Sequence, residues 1–200
     1  MSSLDTPLNL VQSLEDVTDT VSSHVIPGAE ILPEAGPPAR QARMSWIFQA
    51  IPEDYNLPAA LAKLPQLSWL VSRYAREIQP GDRVYLWASG KKAGIYAVAR
   101  VVTPTQVMPD LPAEAEFQLV DETADEKDRP RVMVTIEHVL EVPVPRSDIK
   151  VHPDLGTLQI IKFAQGTNFR VSPREDEVLW QMVRERLPAA ALGEVSSPPS

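Results

Sequence analysis

The chain has 200 residues, 44% of them apolar, a formal net charge of −8 and no cysteine. That length suits one domain plus tails, with enough apolar side chains for a core. The missing thiols exclude disulfide frameworks, cysteine nucleophiles and thiolate zinc sites. The acidic balance argues against indiscriminate, phosphate-driven binding of long duplexes.

Residues 1 to 43 hold no aromatic residue, are acidic overall, and end in the Pro- and Gly-rich stretch PGAEILPEAGPPAR. They read as a disordered tail with little to bury, carrying at most a weak amphipathic helix between Leu8 and Val21. The opening stretch lacks the basic start and apolar centre of a secretory signal. No run reaches the roughly 18 to 20 apolar residues of a membrane span. A soluble, cytoplasmic protein with no membrane partner is expected. The composition changes at Met44, which makes that residue a candidate for the true start.

The compact part is expected over 44 to 187. MSWIFQAI reads as a strand stopped by Pro52. Asn56 before LPAALAKL, with Pro58 in the first turn, starts a short helix. QLSWLVSRYAREI continues as an extended piece and a helical turn. QPGD, residues 79 to 82, is a strong turn with Pro at its second position and Gly at its third. Strands follow at about 83 to 88 and 94 to 102. EFQLVD and PRVMVTIEHVLEVPVP read as further strands, the second alternating through Val132, Val134 and Ile136. DETADEKD, 121 to 128, is a solvated acidic loop, and LGTLQIIKF a short helix or an irregular apolar piece.

SPREDEVLWQMVRERL is the clearest helix. Ser172 is its N-cap, Pro173 its first residue, and Glu175 closes a capping box. Val178, Leu179, Met182 and Val183 give it one apolar face, and Trp180 is assigned to packing. Residues 188 to 200 form a second tail. Short strands without regular βαβ alternation indicate an α+β domain around a mostly antiparallel, curled sheet with flanking helices.

The basic residues concentrate within 66 to 101, where Arg73, Arg76, Arg83, Lys91, Lys92 and Arg100 face only Glu77 and Asp82. An ordinary solvated surface and a phosphate-contacting face both fit this pattern. His24, His138 and His152 show no ligand spacing, so neither a metal nor a cofactor is expected.

In order along the chain, SWIFQAIPEDYNL, LSWLVSRYAREIQPGDRVYLWASGKKAGIYAVARV and LQIIKFAQGTNFRVSPREDEVLW resemble the EVE domain, a PUA-like fold related to YTH domains. The resemblance runs from about Met44 to Leu187. Its most specific part is the series Trp69, Gly81, Asp82, Trp87, Ser89, Gly90 and Gly94. It implies a small PUA-like curled antiparallel β-barrel with flanking helices. It also implies a non-catalytic reader of modified bases, such as 5-methylcytosine derivatives, in DNA or RNA.

Such a reader must extrude the base at a cost of a few kcal/mol, and aromatic stacking returns about 1–3 kcal/mol per base. The candidate walls are Trp46, Trp69 and Trp87, and the candidate edge readers are Ser72, Ser89 and Gln165. Gly90, Gly94 and Gly166 are candidates for close backbone approach to the ligand. The connection SGKKAG then forms a rim, with Lys91, Lys92 and Arg73 meeting phosphate; a plain hairpin loop with solvated lysines is the alternative. The acidic tail is expected to shield that rim. Two rival functions stay open. One is a hydrolase of modified nucleosides, with Asp82 and Glu137 as its acids if folding brings them to the pocket. The other is a protein-interaction domain.

Overall fold

The computed structural model describes residues 43 to 120 and 129 to 188. The expectations for the tails at 1 to 43 and 188 to 200 and for the acidic run at 121 to 128 fall almost entirely outside these residues, as does the weak N-terminal helix. Seven strands form one sheet: β1 (Ser45–Ala50), β2 (Gln66–Leu70), β3 (Arg83–Ala88), β4 (Gly94–Val101), β5 (Gln106–Val107), β6 (Pro130–Pro145) and β7 (Asn168–Val171). The order is β2-β6-β4-β3-β1-β7, with β5 added to β6. The sheet curls into a half-barrel. Among the described residues, four α-helices flank it: α1 (Leu57–Leu61), α2 (Arg146–Val151), α3 (Gln159–Lys162) and α4 (Pro173–Arg184). No helix among the described residues is long and apolar enough to cross a membrane.

The sheet is mixed, because β1 and β3 pair in parallel while the other pairs run antiparallel. A parallel pair needs a crossover, and the chain between these strands supplies one containing α1 and β2. EFQLVD does not form the expected strand. A 3-10 helix covers Pro112–Phe117, and Gln118 makes only an isolated bridge to Tyr55. Pro112 opens that turn, and the buried Glu114 reaches back to the Leu111 N–H.

Local rules explain the other elements. Asn56 Oδ1 accepts from the Ala59 N–H at 3.3 Å and caps α1. Ser172 and Glu175 form the capping box of α4: the Glu175 carboxylate accepts from Ser172 N–H at 2.8 Å, and Ser172 Oγ accepts from Glu175 N–H at 3.3 Å. In QPGD, the Asp82 N–H reaches the Gln79 carbonyl at 3.1 Å and Gly81 takes φ +95°, a conformation that favours glycine at the third turn position. The turn delivers Asp82 into the interior. There its carboxylate accepts from Met44 N–H at 3.0 Å, Trp46 Nε1–H at 2.8 Å and Gln79 N–H at 3.0 Å.

Strand alternation sorts the core into two clusters. Trp46, Phe48, Trp69, Val84, Leu86 and Ala88 join the first, together with Leu57, Ala60 and Leu61 from α1 and with Phe117. Ile47, Tyr85, Trp87 and Ile95 join the second, which Ile149, Ile160, Val178, Leu179 and Val183 cover from α2, α3 and α4. The half-barrel leaves β2 and β7 as edges. Asn168 bridges them: its Nδ2 donates to the Leu70 carbonyl at 3.1 Å, and its Oδ1 accepts from Ser72 N–H at 2.9 Å.

Candidate nucleic-acid interface

A cleft of about 170 Å³ opens beside this seam, at the ends of β1 and β2. Trp69 forms an apolar side, stacked on Phe48 at 5.8 Å between ring centroids. Asp54 and Tyr55 border it from the loop after β1, and Thr167 from the segment before β7. Phe163, 71% exposed, belongs to the same 163 to 167 loop.

Gln49, at the end of β1, lines the cleft and is buried. Its Nε2 donates to the carbonyls of Ala164 at 3.0 Å and Gly166 at 3.1 Å. Both amide protons are thereby used, which fixes the amide's orientation. Its Oε1 is left buried without a partner. An unmet buried acceptor costs about 1–3 kcal/mol.

The floor is acidic and tightly bonded. Ser68 Oγ lies 2.6 Å from Asp110 Oδ1 and 2.7 Å from Glu114 Oε2. One hydroxyl has one proton, so two such short contacts to carboxyl oxygens require a second proton on the network. Asp110 also pairs with Arg131 at 2.6 Å. Burial pushes the Glu114 carboxyl above the usual carboxylate range, against the lowering effect of the Ser68 hydrogen bonds. The Tyr55 hydroxyl donates to Glu114 Oε1 at 3.3 Å, and its own proton is held by burial and the neighbouring carboxyl.

The three tryptophans do not form one slot. Trp69 borders the cleft, whereas Trp87 is 1% exposed on the opposite side of the sheet, in the helix-covered cluster. Their separation follows from the inward alternation of Val84, Leu86 and Ala88 on β3, which turns Tyr85 and Trp87 away. Trp46 is fully buried on the Trp69 side, held by Asp82 and tilted against Tyr74 at 5.3 Å. Neither ring lines the cleft. Trp180 packs as expected, with the Arg83 guanidinium 4.5 Å from its ring centroid.

Ser72 stands at the seam, with its hydroxyl 2.6 Å from that of Thr167, a lining residue. Gly166 supplies a carbonyl to Gln49 and sits against exposed Arg73, and Gln165 is exposed in the same loop. Ser89, Gly90, Lys91 and Lys92 are not among the lining residues and belong to the turn between β3 and β4. Gly94 has a structural reason instead of the expected ligand approach: a Cβ there would stand 2.3 Å from the Val144 carbonyl of β6. Asp82 and Glu137 do not meet at the cleft, because Asp82 holds Trp46 and Glu137 pairs with Arg100.

Gln49, Ser68, Asp110, Glu114 and Arg131 escape the sequence reading. Gln49 had a signal, being the one amide inside a strand whose six residues are all buried. Asp110, Glu114 and Arg131 had none, since long-range folding alone brings them to Ser68.

The EVE domain family model matches residues 44–183. The chain belongs to the EVE domain family. Solved structures agree on the fold of this EVE domain. A hypothetical protein from Leishmania major superposes with TM-score 0.54 at 19% identity, over 72% of this chain and 96% of that one. A Pseudomonas putida protein gives 0.53 at 22% identity, over 72% and 99%. Human THYN1, solved in complex with 5-methylcytosine-containing DNA, gives 0.54 at 14% identity, again over 72% and 99%. No curated protein matches the chain.

Proposed function

We propose that this EVE domain is a non-catalytic nucleic-acid-binding module that holds one extruded, modified base in the Trp69 cleft. The carrying observation is one cleft lined both by an indole, Trp69, and by Gln49, whose Oε1 has no partner. Asp110 and Glu114 are engaged by protein donors, which leaves the exposed Asp54 carboxyl and the unpartnered Gln49 Oε1 as the acceptors of that lining. They suit a base edge with an exocyclic amine, as in cytosine or adenine derivatives, over the acceptor-bearing O4 of thymine or uracil. The DNA-bound state of human THYN1 supports a 5-methylcytosine derivative as occupant. Ser72, Gln165 and Gly166 then belong to the rim. Asp110 and Glu114 spend their oxygens on protein donors, which favours holding over proton transfer.

Titration of the full chain with short oligonucleotides carrying cytosine, 5-methylcytosine, 5-hydroxymethylcytosine, N6-methyladenine or thymine tests the proposal. Binding is expected for an amine-bearing modified base. Trp69→Ala should weaken it by about 1–3 kcal/mol, roughly 5- to 150-fold in Kd, with the fold retained by circular dichroism. Equal affinity for all five oligonucleotides, or no effect of Trp69→Ala, overturns the reading.

A further inference from the structure

A second concavity of about 790 Å³ lies between the β3–β4 turn and α2. Its charged lining consists of Lys91, Lys92, Arg146, Lys150 and Arg186 with Asp148 as the one acid. Arg186 is already committed to Asp148 at 3.0 Å and to the Met182 carbonyl. Lys91, Lys92 and Lys150 are exposed and have no acidic partner among the described residues. Arg146 donates only a long 3.5 Å contact to the Ile161 carbonyl. In a chain of net charge −8, four under-compensated cations around one groove mark a site for anionic charge.

The backbone builds this groove firmly. Arg146 N–H donates to the Ala93 carbonyl at 2.7 Å, and the Tyr96 hydroxyl to the Lys92 carbonyl at 2.9 Å. Gly94 lies so close to β6 that the turn carrying the lysines and the start of α2 are locked side by side. The groove also adjoins the cleft. Ser89 N–H donates to the carbonyl of Ala50, a cleft residue, and a Cβ on Gly90 would stand 3.7 Å from Pro52, next to the cleft residue Ile51. Tyr96, in the groove wall, packs on the same core cluster as Trp69.

We infer that Lys91, Lys92, Arg146 and Lys150 form a phosphate track for the single strand that leaves the Trp69 cleft past Pro52. The inference rests on the base-binding reading and adds a second, base-independent contact to it. Tyr96 and the 66%-exposed Val142 provide apolar surface along the track for sugars and base faces. Sequence discrimination belongs to the cleft, and the track adds affinity that salt removes.

The test uses the full chain with single-stranded DNA and RNA dodecanucleotides of one sequence, each carrying a central 5-methylcytosine, and with free 5-methylcytidine nucleosides. Arg146→Gln/Lys150→Gln is compared with the unaltered protein over a salt series. Each phosphate contact on a single strand contributes about 0.7 to the slope of log affinity against log salt, so the double variant should be shallower by about 1.4. Its dodecamer affinity at low salt should drop by tenfold or more, and its nucleoside binding should not change. Lys91→Gln/Lys92→Gln should behave alike, which guards against a local folding defect at α2. A salt slope equal to that of the unaltered protein overturns the track, as does failure of both dodecamers to bind at low salt. Dodecamer binding that follows these variants, without nucleoside binding and without response to Trp69→Ala, upholds the track and rejects the base cleft. The polymer with the steeper slope identifies whether DNA or RNA is carried.

Discussion

The two faces of the sheet carry the same kind of residue to opposite ends. On one face Trp87 lies under α2, α3 and α4, closed over by Ile149, Ile160, Leu179 and Val183. On the other, Trp69 has Phe48 behind it and an opening in front. Between these two indoles, helix cover rather than residue type decides which is structural. On the covered face the Tyr85 hydroxyl donates to Asp176 Oδ1 at 2.7 Å. At the cleft, by contrast, the lining residue Gln49 keeps its Oε1 without a partner.

This contrast can be broken most severely at Trp87. Trp87→Ala should cost about 3–5 kcal/mol of stability in a urea titration, as expected for emptying a packed aromatic site. Trp69→Ala should cost clearly less in the same titration while removing most oligonucleotide binding, so the two substitutions together separate packing from recognition. Asn168→Ala tests the seam beside the cleft. It strips the partners from Leu70 and Ser72 and should cost about 1–3 kcal/mol in thermal unfolding. Ser172→Ala removes the α4 cap on the covered face and should cost about 1 kcal/mol without touching binding.

The smallest expected effect sharpens the comparison by pH. Glu114 holds its proton more tightly when folded than at its ordinary value of 4.5, chiefly because it is buried. The folded state therefore binds more protons than the unfolded one as pH rises past that value. The stabilisation is complete below the ordinary value and is lost as pH climbs through the raised one. Melting temperatures measured from acid to neutral pH should decline over that interval, and Glu114→Gln should flatten the decline.

Much of the framework was legible because its causes are local. The capping box at Ser172 and Glu175, the Asn56 cap and the QPGD turn each act within four residues, and they appear where the sequence places them. The order of motifs carried the family and its curled sheet. The site was legible only in part. Trp69 was identifiable, but which indole faces an opening depends on what α4 covers some 90 positions later. Likewise Ser68 meets Glu114 across 46 positions, and Gln49 meets Gly166 across 117, separations over which no sequence pattern operates. The EFQLVD segment misled for a related reason: its strand-like composition yields to a turn that puts Glu114 beneath Ser68.

The Asn168 bridge has one more implication. No backbone ladder joins β2 to β7 among the described residues, so the Asn168 carboxamide, with the Ser72–Thr167 hydroxyl pair beside it, serves as the latch where the half-barrel would otherwise gape. Local opening there sacrifices few bonds, and the amide proton of Ser72 should trade with deuterium sooner than those of β1, β3 and β4. The molecule thus has its most pliant joint next to its vacant acceptor, where admitting a planar guest requires give.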